Sequence, residues 1–208
     1  MIIKNSKGFA VIISSPSGVG KTTVTKGILK KIKQTKLSIS WTTRSPRLTE
    51  INKKDYIFSS KKKFFSNIKK NNFFLEHAKV FGNYYGTPKK EILNDFKKGK
   101  IVILDIDWQG SRKVKRILGE KCVSIFLLPP SFSTLKKRLI NRHKNDLKVA
   151  NKRFSFAKED IKHWIDYDYV IINENLGECI KCVAKIIEHK LFKQKLENNA
   201  RKQLKQII

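Results

Sequence analysis

Apolar residues in this chain fall into short unbroken runs separated by stretches of helical periodicity, the pattern of a buried parallel sheet with helices packed on it. Phe9 to Ile13 is apolar and rich in β-branched residues, and predicts a strand. It breaks into the small-residue cluster Ser14, Ser15, Pro16, Ser17, Gly18, Val19 and Gly20. Lys21 to Lys33 then places Val24, Ile28 and Ile32 on one helical face. Leu37 to Thr43 alternates, and Asp55 to Phe58 is a short strand. Ser59 to Lys70 is helical, with Phe64, Phe65 and Ile68 expected to point inward. Phe73 to Val80 predicts a strand carrying Glu76, Phe81 to Thr87 a turn with two phenols, and Pro88 opens a helix to about Lys98.

The second half continues the alternation. Ile101 to Asp107 is a buried strand ending in carboxylates, and Val123 to Leu128 is another, stopped by Pro129-Pro130. A helix over Ser131 to Asn141 is followed by a polar segment, Arg142 to Asn151, and then by a helix to about Ile165. Tyr169 to Ile172 is a last short strand, and Leu176 to Ile208 is helical with an increasingly polar end. The class is therefore α/β, a parallel sheet with helices on both faces, whose ligands bind at the carboxyl ends of the strands. Ser38 to Pro88, with short alternating strands, reads as an inserted mixed α+β subdomain that could hold a second substrate.

The first strand and helix carry the most informative chemistry. A strand that ends in a small-residue loop and feeds a helix presents consecutive backbone N–H groups at a helix N-terminus, which is an anion cradle. In this P-loop NTPase-type unit, Lys21 adds a cation for β- and γ-phosphates and the Thr22 hydroxyl is placed to ligate Mg²⁺ with the ATP phosphates. The pattern asks for Gly five positions before Gly20, where this chain has Ser15. The plainer alternative is a Gly/Ser-rich loop with an incidental Gly-Lys-Thr.

Composition narrows the partners. The 208 residues suffice for one sizeable core with a small insert. No apolar run approaches membrane-spanning length, and Met1 to Gly8 lacks a signal-peptide core, so no membrane association and a cytoplasmic location are expected. Three cysteines suggest free thiols, and Cys179 and Cys182 read as helix packing. The formal charge of +29 raises nucleic acid as a partner. Yet only eight of the 46 basic residues are Arg, and the Lys are spread along almost every segment. A specific nucleic-acid reader would concentrate Arg forks, so none is expected.

Scarce Arg makes its placement informative. Arg44 and Arg47 flank a turn, Arg138 and Arg142 lie four apart on a helix, and Arg153 follows the polar segment. Paired guanidiniums near the phenols Tyr56 and Tyr85 suit a dianionic phosphate, although a solvated surface pair fits Arg44 and Arg47 alone. Asp105 and Asp107 end a strand where carboxylates support Mg²⁺ or its water shell, or simply cap. Glu76 sits among Phe74, Leu75 and Ala78 and, if buried, needs a partner such as a purine amide edge or a Lys. The four His show no metal-ligand spacing.

Seven stretches together resemble guanylate kinase of the bacterial type. They are Ser14-Ser-Pro-Ser-Gly-Val-Gly-Lys-Thr22, Ser40-Trp-Thr-Thr-Arg44-Ser-Pro-Arg47, Asp55-Tyr-Ile-Phe58, Leu75-Glu-His-Ala78, Phe81-Gly-Asn-Tyr-Tyr-Gly-Thr87, Ile103-Leu-Asp-Ile-Asp-Trp-Gln-Gly110 and Phe126-Leu-Leu-Pro-Pro130. The resemblance implies a domain over 7–190, with a core of 7–37, 88–140 and 156–190, a GMP-binding insert over 38–87, a lid over 141–155, and a helical extension over 191–208. It implies transfer of the γ-phosphate of ATP to GMP. Ser14 to Thr22 would bind ATP. Arg44, Arg47, Tyr56 and Tyr85 would hold the GMP phosphate; Ser40, Glu76 and Thr87 would surround guanine; Asp105 and Asp107 would lie near substrate and metal. Lys21, Arg44, Arg142 and Arg153 would be catalytic. The lid departs from the family's Gly-Arg-Gly and acidic pattern, having Asn141-Arg142-His143 and then Asn145, Asp146 and Lys148.

Two other classes compete. A guanylate-kinase-like scaffold that binds peptides would be expected to lack the phosphate loop, whereas Lys21 and Thr22 are present. A nucleic-acid-binding protein would bind with a steep salt dependence and transfer no phosphate. The sequence leaves a homo-oligomer open.

Overall fold

In the computed structural model, which describes residues 7–142 and 146–207, nine strands and seven α-helices make two sheets. Strand β1 (Phe9–Ser14) is the middle of a five-stranded parallel sheet in the order β2-β7-β1-β8-β9, with β2 at Thr35–Leu37, β7 at Ile101–Asp105, β8 at Cys122–Leu128 and β9 at Tyr169–Ile172. Every residue of β1 is buried. Alternation along the strand divides the core: Phe9, Val11 and Ile13 join one apolar cluster, and Ala10 and Ile12 the other. The first is covered by α1 (Lys21–Lys31), α5 (Phe132–Arg142) and the start of α7 (Leu176–Ile207) through Val24, Ile28, Leu135, Leu139, Val183 and Ile187. On the second face, α3 (Lys89–Lys97) and α4 (Trp108–Leu118) contribute Ile92, Phe96, Val114 and Leu118.

Most of the expected elements stand, and the departures have local causes. Leu37 to Thr43 is not one strand. Leu37 ends β2 in the large sheet, whereas Trp41–Thr42 is β3 of a second, four-stranded sheet ordered β4-β3-β6-β5. There, β4 (Ile57–Phe58) runs parallel to β3, and β6 (Asn83–Pro88) pairs antiparallel with β3 and with β5 (Phe74–Val80). The expected turn over Phe81 to Thr87 is therefore only Phe81-Gly82, with Asn83 onward in β6. Both turn residues have positive φ, as a two-residue hairpin of matching twist requires, and a phenylalanine there costs on the order of 1–2 kcal/mol.

Helix α2 (Lys61–Lys69) buries Phe64 and Asn67, while Phe65 lies outside, edge-on to Tyr84, contrary to its expected inward direction. Phe64 stacks on Phe74 of β5, so one ring already fills the gap under the helix. Helix α4 was not anticipated. The Asp107 side chain accepts from the Gly110 N–H and caps it, and Gly110, Ser111, Val114 and Leu118 form its buried face. The polar segment Arg142 to Asn151 is helical at both ends, because α5 runs through Arg142 and Asp146 caps α6 (Leu147–Ile161). His143 and Asn145 lie outside the described residues. Among the described residues no helix is long and apolar enough to cross a membrane.

One glycine fixes how β1 enters the sheet. A Cβ on Gly8 would lie 2.4 Å from the Lys100 carbonyl oxygen and 2.6 Å from the Phe96 Cα, both backbone atoms. Gly8→Ala must push β1 away from the turn joining α3 to β7. We expect a loss on the order of 2–3 kcal/mol, read as a fall in Tm of roughly 5–10 °C by thermal denaturation. An unchanged Tm would mean that this approach is not what sets the strand.

Candidate active site

The carboxyl ends of β1 and β7 lie side by side, with Ile13 paired to Asp105. Beyond β1 the loop Ser14 to Gly20 turns into α1, whose N-cap, Gly20, has φ +107°. A Cβ there would also meet the Asn173 Nδ2 at 2.8 Å, so both conformation and space call for glycine. Ser15 is not among the positive-φ residues, which is why the absent glycine at that position leaves the loop intact. The Ser14 hydroxyl donates to the Ile106 carbonyl at 2.7 Å, and Ser15 donates to that of Pro16. The Val19 carbonyl accepts from Asn173 Nδ2 at 2.7 Å and from Arg138 at 3.2 Å. Holding that carbonyl on the protein side turns the Gly20 N–H of the same peptide the other way, toward the cradle. Sequence reasoning did not assign Asn173. Its signal is a buried polar residue just past the last strand.

Lys21 opens α1 and donates to Asp105 Oδ1 across the sheet. Burial works against its charge, and Asp105 outweighs this, so the ammonium stays above its ordinary pKa. Thr22, next to it, exposes its side chain at the first turn of the helix.

The insert brings a second cluster of cationic side chains toward the phosphate-loop region. Arg44, following β3, donates to both oxygens of Glu50 at 2.8 and 2.9 Å, and the Arg47 N–H donates to Glu50 at 2.8 Å. Glu50 was not singled out from sequence. Burial opposes its charge, but the Arg44 and Arg47 contacts hold it below the ordinary carboxylate range. Tyr56 and Tyr85 meet edge to face at 6.1 Å, and the Arg44 guanidinium lies 5.4 Å from the Tyr56 ring. The Tyr56 hydroxyl is pushed up by burial and then by Asp105, so the two sites are electrostatically in touch.

Arg142, at the end of α5, and Arg153, on α6, both fall below the usual guanidinium range. Enclosure is the first cause, and facing Arg47 is the second. Arg153 donates to Ser17 Oγ of the phosphate loop at 3.2 Å. The Nε atoms of Arg44 and Arg153 are buried without a hydrogen-bond partner. Four guanidiniums thus converge on one space between the phosphate loop, the insert and α6, and Glu50 is the carboxylate among them.

The far end of the insert is built differently. A bulge between Phe74 and Glu76 sets Glu76 opposite Thr87, whose hydroxyl donates to Glu76 Oε1 at 2.6 Å. Ser40 is buried on the neighbouring strand connection. Gly110 of α4 leaves room for Glu76 and Asp107, whose oxygens would lie 3.0 and 3.2 Å from a Cβ there. Burial, offset in part by Thr87 and increased by Asp107, raises the Glu76 pKa to about 7. Asp107 is also raised, by burial first, and serves as the α4 cap; Asp160 of α6, beside Trp108, is raised to about 6 by burial. Because β6 alternates, Tyr85 and Thr87 share a face roughly 7 Å apart, which separates the cationic end from the Glu76 end.

This arrangement has known counterparts. The sequence profile described as guanylate kinase matches residues 7–190. The chain belongs to the guanylate kinase family. It is 43% identical over 207 residues to a guanylate kinase of Ehrlichia chaffeensis, covering 98% of this chain and 95% of that one. A guanylate kinase of Rickettsia prowazekii is 42% identical over 187 residues, covering 90% and 93%. The crystal structure of guanylate kinase from Anaplasma phagocytophilum superposes with a TM-score of 0.75 at 33% identity, covering 92% and 89%. In this member of the guanylate kinase family, the predicted phosphate-site residues and the predicted Ser40, Glu76 and Thr87 group are set apart along β6, with Tyr85 in the first and Thr87 in the second.

The buried Glu76 gives a pH signature to the ligand-free protein. Its folded pKa, about 7, lies above the model-peptide value of 4.5. The native state therefore holds a proton that the unfolded chain releases, and stability falls as pH rises from about 4.5 to about 7, then levels off. We expect parent and Glu76→Gln unfolding free energies, measured by urea titration, to diverge across that window by on the order of 2–3 kcal/mol. Parallel curves would place Glu76 in a solvated setting.

Proposed function

We propose that the chain transfers the γ-phosphoryl group of ATP to GMP, giving ADP and GDP, with Lys21 and the Ser14 to Thr22 loop on the ATP phosphates and the insert on GMP. The observation that carries this reading is the convergence of Arg44, Arg47, Arg142 and Arg153 on one space. Their mutual repulsion is offset when two polyanions enter. Arg44, Arg47, Tyr56 and Tyr85 bind the GMP phosphate, and Ser40, Glu76 and Thr87 take the guanine. The domain limits follow: core 7–37, 88–140 and 156–190, insert 38–87 and lid 141–155, with 191–208 as an extension.

The reaction needs no protein nucleophile. An oxygen of the GMP phosphate attacks the γ-phosphorus in line, the new P–O bond forms, and the bond to the β-phosphate oxygen breaks as ADP leaves. Catalysis is positioning plus neutralisation of charge spread over the equatorial oxygens. Lys21 follows the β- and γ-phosphates, and Arg142 and Arg153 reach the transferring group from α5 and α6. The donor set fits a hard divalent cation: the Thr22 hydroxyl at the first helical turn, the oxygens of Asp105 at the end of β7, and those of Asp107 at the cap of α4. Among the described residues no group of three or more His, Cys, Asp or Glu forms a closed metal cage. Mg²⁺ keeps most of its waters and binds with phosphates, so a few such oxygens suffice to hold it. When bound it would supply charge neutralisation at the ATP phosphates.

A cytoplasmic location and the absence of specific nucleic-acid or membrane partners belong to the same reading. A peptide-binding scaffold has no use for a half-buried Lys21 paired with Asp105 beside an anion loop. Two substitutions test the assignment. Lys21→Ala should lower kcat by a thousandfold or more, by analogy with the loss of a transition-state donor, while the protein stays folded. Full phosphotransfer would remove the loop from the reaction. Glu76→Leu should lower kcat/KM for GMP by on the order of a hundredfold, because guanine N1–H and N2–H₂ both donate to a carboxylate. IMP lacks the amine and should suffer much less. Equal losses for GMP and IMP, in a coupled ADP assay, would make Glu76 a structural group that does not read the base.

A further inference from the structure

The phenylalanine at the tip of the β5–β6 hairpin stands in a left-handed conformation, φ +49°, in a turn where Asn or Gly would be unstrained. Its ring stays partly exposed, so core packing does not account for it. What the ring does touch lies on α6. The Arg153 guanidinium sits 5.0 Å from the Phe81 ring centroid, and Phe156, one helical turn on, meets Phe81 edge to face at 5.1 Å and 81°. Arg153 also donates to Ser17 of the phosphate loop. One guanidinium therefore joins three parts of the chain: the core through Ser17, the insert through Phe81, and α6, which carries it.

The other end of α6 is fixed to the core. Trp108, the first residue of α4, bonds to Asp160 and stacks on His163 at 3.6 Å and 20°. Arg112 pairs with Asp166. Nearer the start of α6, Phe154 and Ala157 pack the helix backbone against the core, which leaves the long Arg153 side chain to be set by what it meets beyond the helix. The insert meets it there through the hairpin tip. We propose that Phe81 is a positioning residue for Arg153, so that the insert, on closing over its nucleotide, sets the α6 guanidinium for phosphoryl transfer. The inference rests on the reading of Arg153 as a group that contacts the transferring phosphoryl. An aromatic face holds a guanidinium without spending its N–H donors, which stay free for phosphate oxygens. A carboxylate partner would occupy them.

The strained turn makes a discriminating test possible. Phe81→Gly removes the ring and suits the backbone at φ +49°, so Tm should stay level or rise. Its kcat should fall about tenfold, with KM for GMP changed less than about threefold, because the contacts of Phe81 are with α6 and not with Glu76, Thr87 or Arg44. Phe81→Tyr keeps the ring and should restore kcat. Phe156→Ala should lower kcat in the same sense, and the double variant should be less impaired than the two losses combined. Wild-type kcat in Phe81→Gly, failure of Phe81→Tyr to restore it, strict additivity, or a Tm loss of several degrees in Phe81→Gly would each overturn the proposal. Arg153→Ala, run alongside, separates the two levels. Full turnover there would overturn the role of Arg153 itself, whereas loss there beside wild-type kcat in Phe81→Gly would overturn only the coupling.

Discussion

A site for two polyanions must hold several guanidiniums close together before either anion arrives, and the fold has to bear their repulsion. Here the charges are divided among separate elements. Arg44 and Arg47 belong to the insert, Arg142 ends α5, Arg153 rides on α6, and Lys21 is rooted in α1. Arg44, Arg47, Lys21 and Arg153 have local holds that do not neutralise the group as a whole. Glu50 chelates Arg44, Asp105 takes Lys21, and Ser17 accepts from Arg153. On the proposed reading, incoming phosphates compete with or displace these contacts, so the resting structure is organised without being self-satisfied. The buried, unpartnered Nε atoms of Arg44 and Arg153 show the same incompleteness at the level of single donors.

The rigidity behind this comes from the parallel sheet. Because β1 is buried on both faces, its carboxyl end cannot shift without disturbing two apolar clusters at once. The phosphate loop inherits that fixity, and Asn173 and Arg138 extend it by holding the Val19 carbonyl from β9 and α5. Site charge and overall charge are thus different matters. The excess of Lys is dispersed over exposed positions, whereas the few Arg that face the cleft are placed by particular strands and helices.

Strands of the large sheet were legible because burial on both faces leaves uninterrupted apolar runs. The phosphate loop was legible because it follows such a run and opens a helix. The resemblance supplied the spatial grouping of Ser40, Glu76 and Thr87, which spacing alone could not: the bulge at Phe74 and Glu76 decides which residue faces Thr87. Helix α4 escaped notice because its inward face begins with the small residues Gly110 and Ser111, the first of which leaves room for Glu76. Phe65 misled because adjacent phenylalanines cannot both face inward on a helix, and Phe64 took the core. Glu50, Asn173 and Asp160 carry no motif of their own. Their roles come from contacts with residues far away in sequence, or from a turn whose geometry is set elsewhere.

Glu76 shows how the same logic reaches specificity. A carboxyl buried beside Asp107 is costly to ionise in the empty site, which is why its pKa stands near 7. Thr87 satisfies one oxygen, and Gly110 keeps space beside the other. A base with two adjacent donors offsets the cost of the charge, while one that presents a lone pair adds to it. On the proposed reading, discrimination arises from the empty site's own unfavourable state, because a base with two adjacent donors relieves the penalty and a base presenting a lone pair does not. The cationic end works by the converse, with like charges relieved by any suitably placed phosphate. The proposed site would therefore be selective at the base and permissive at the phosphate, with β6 as the ruler between them.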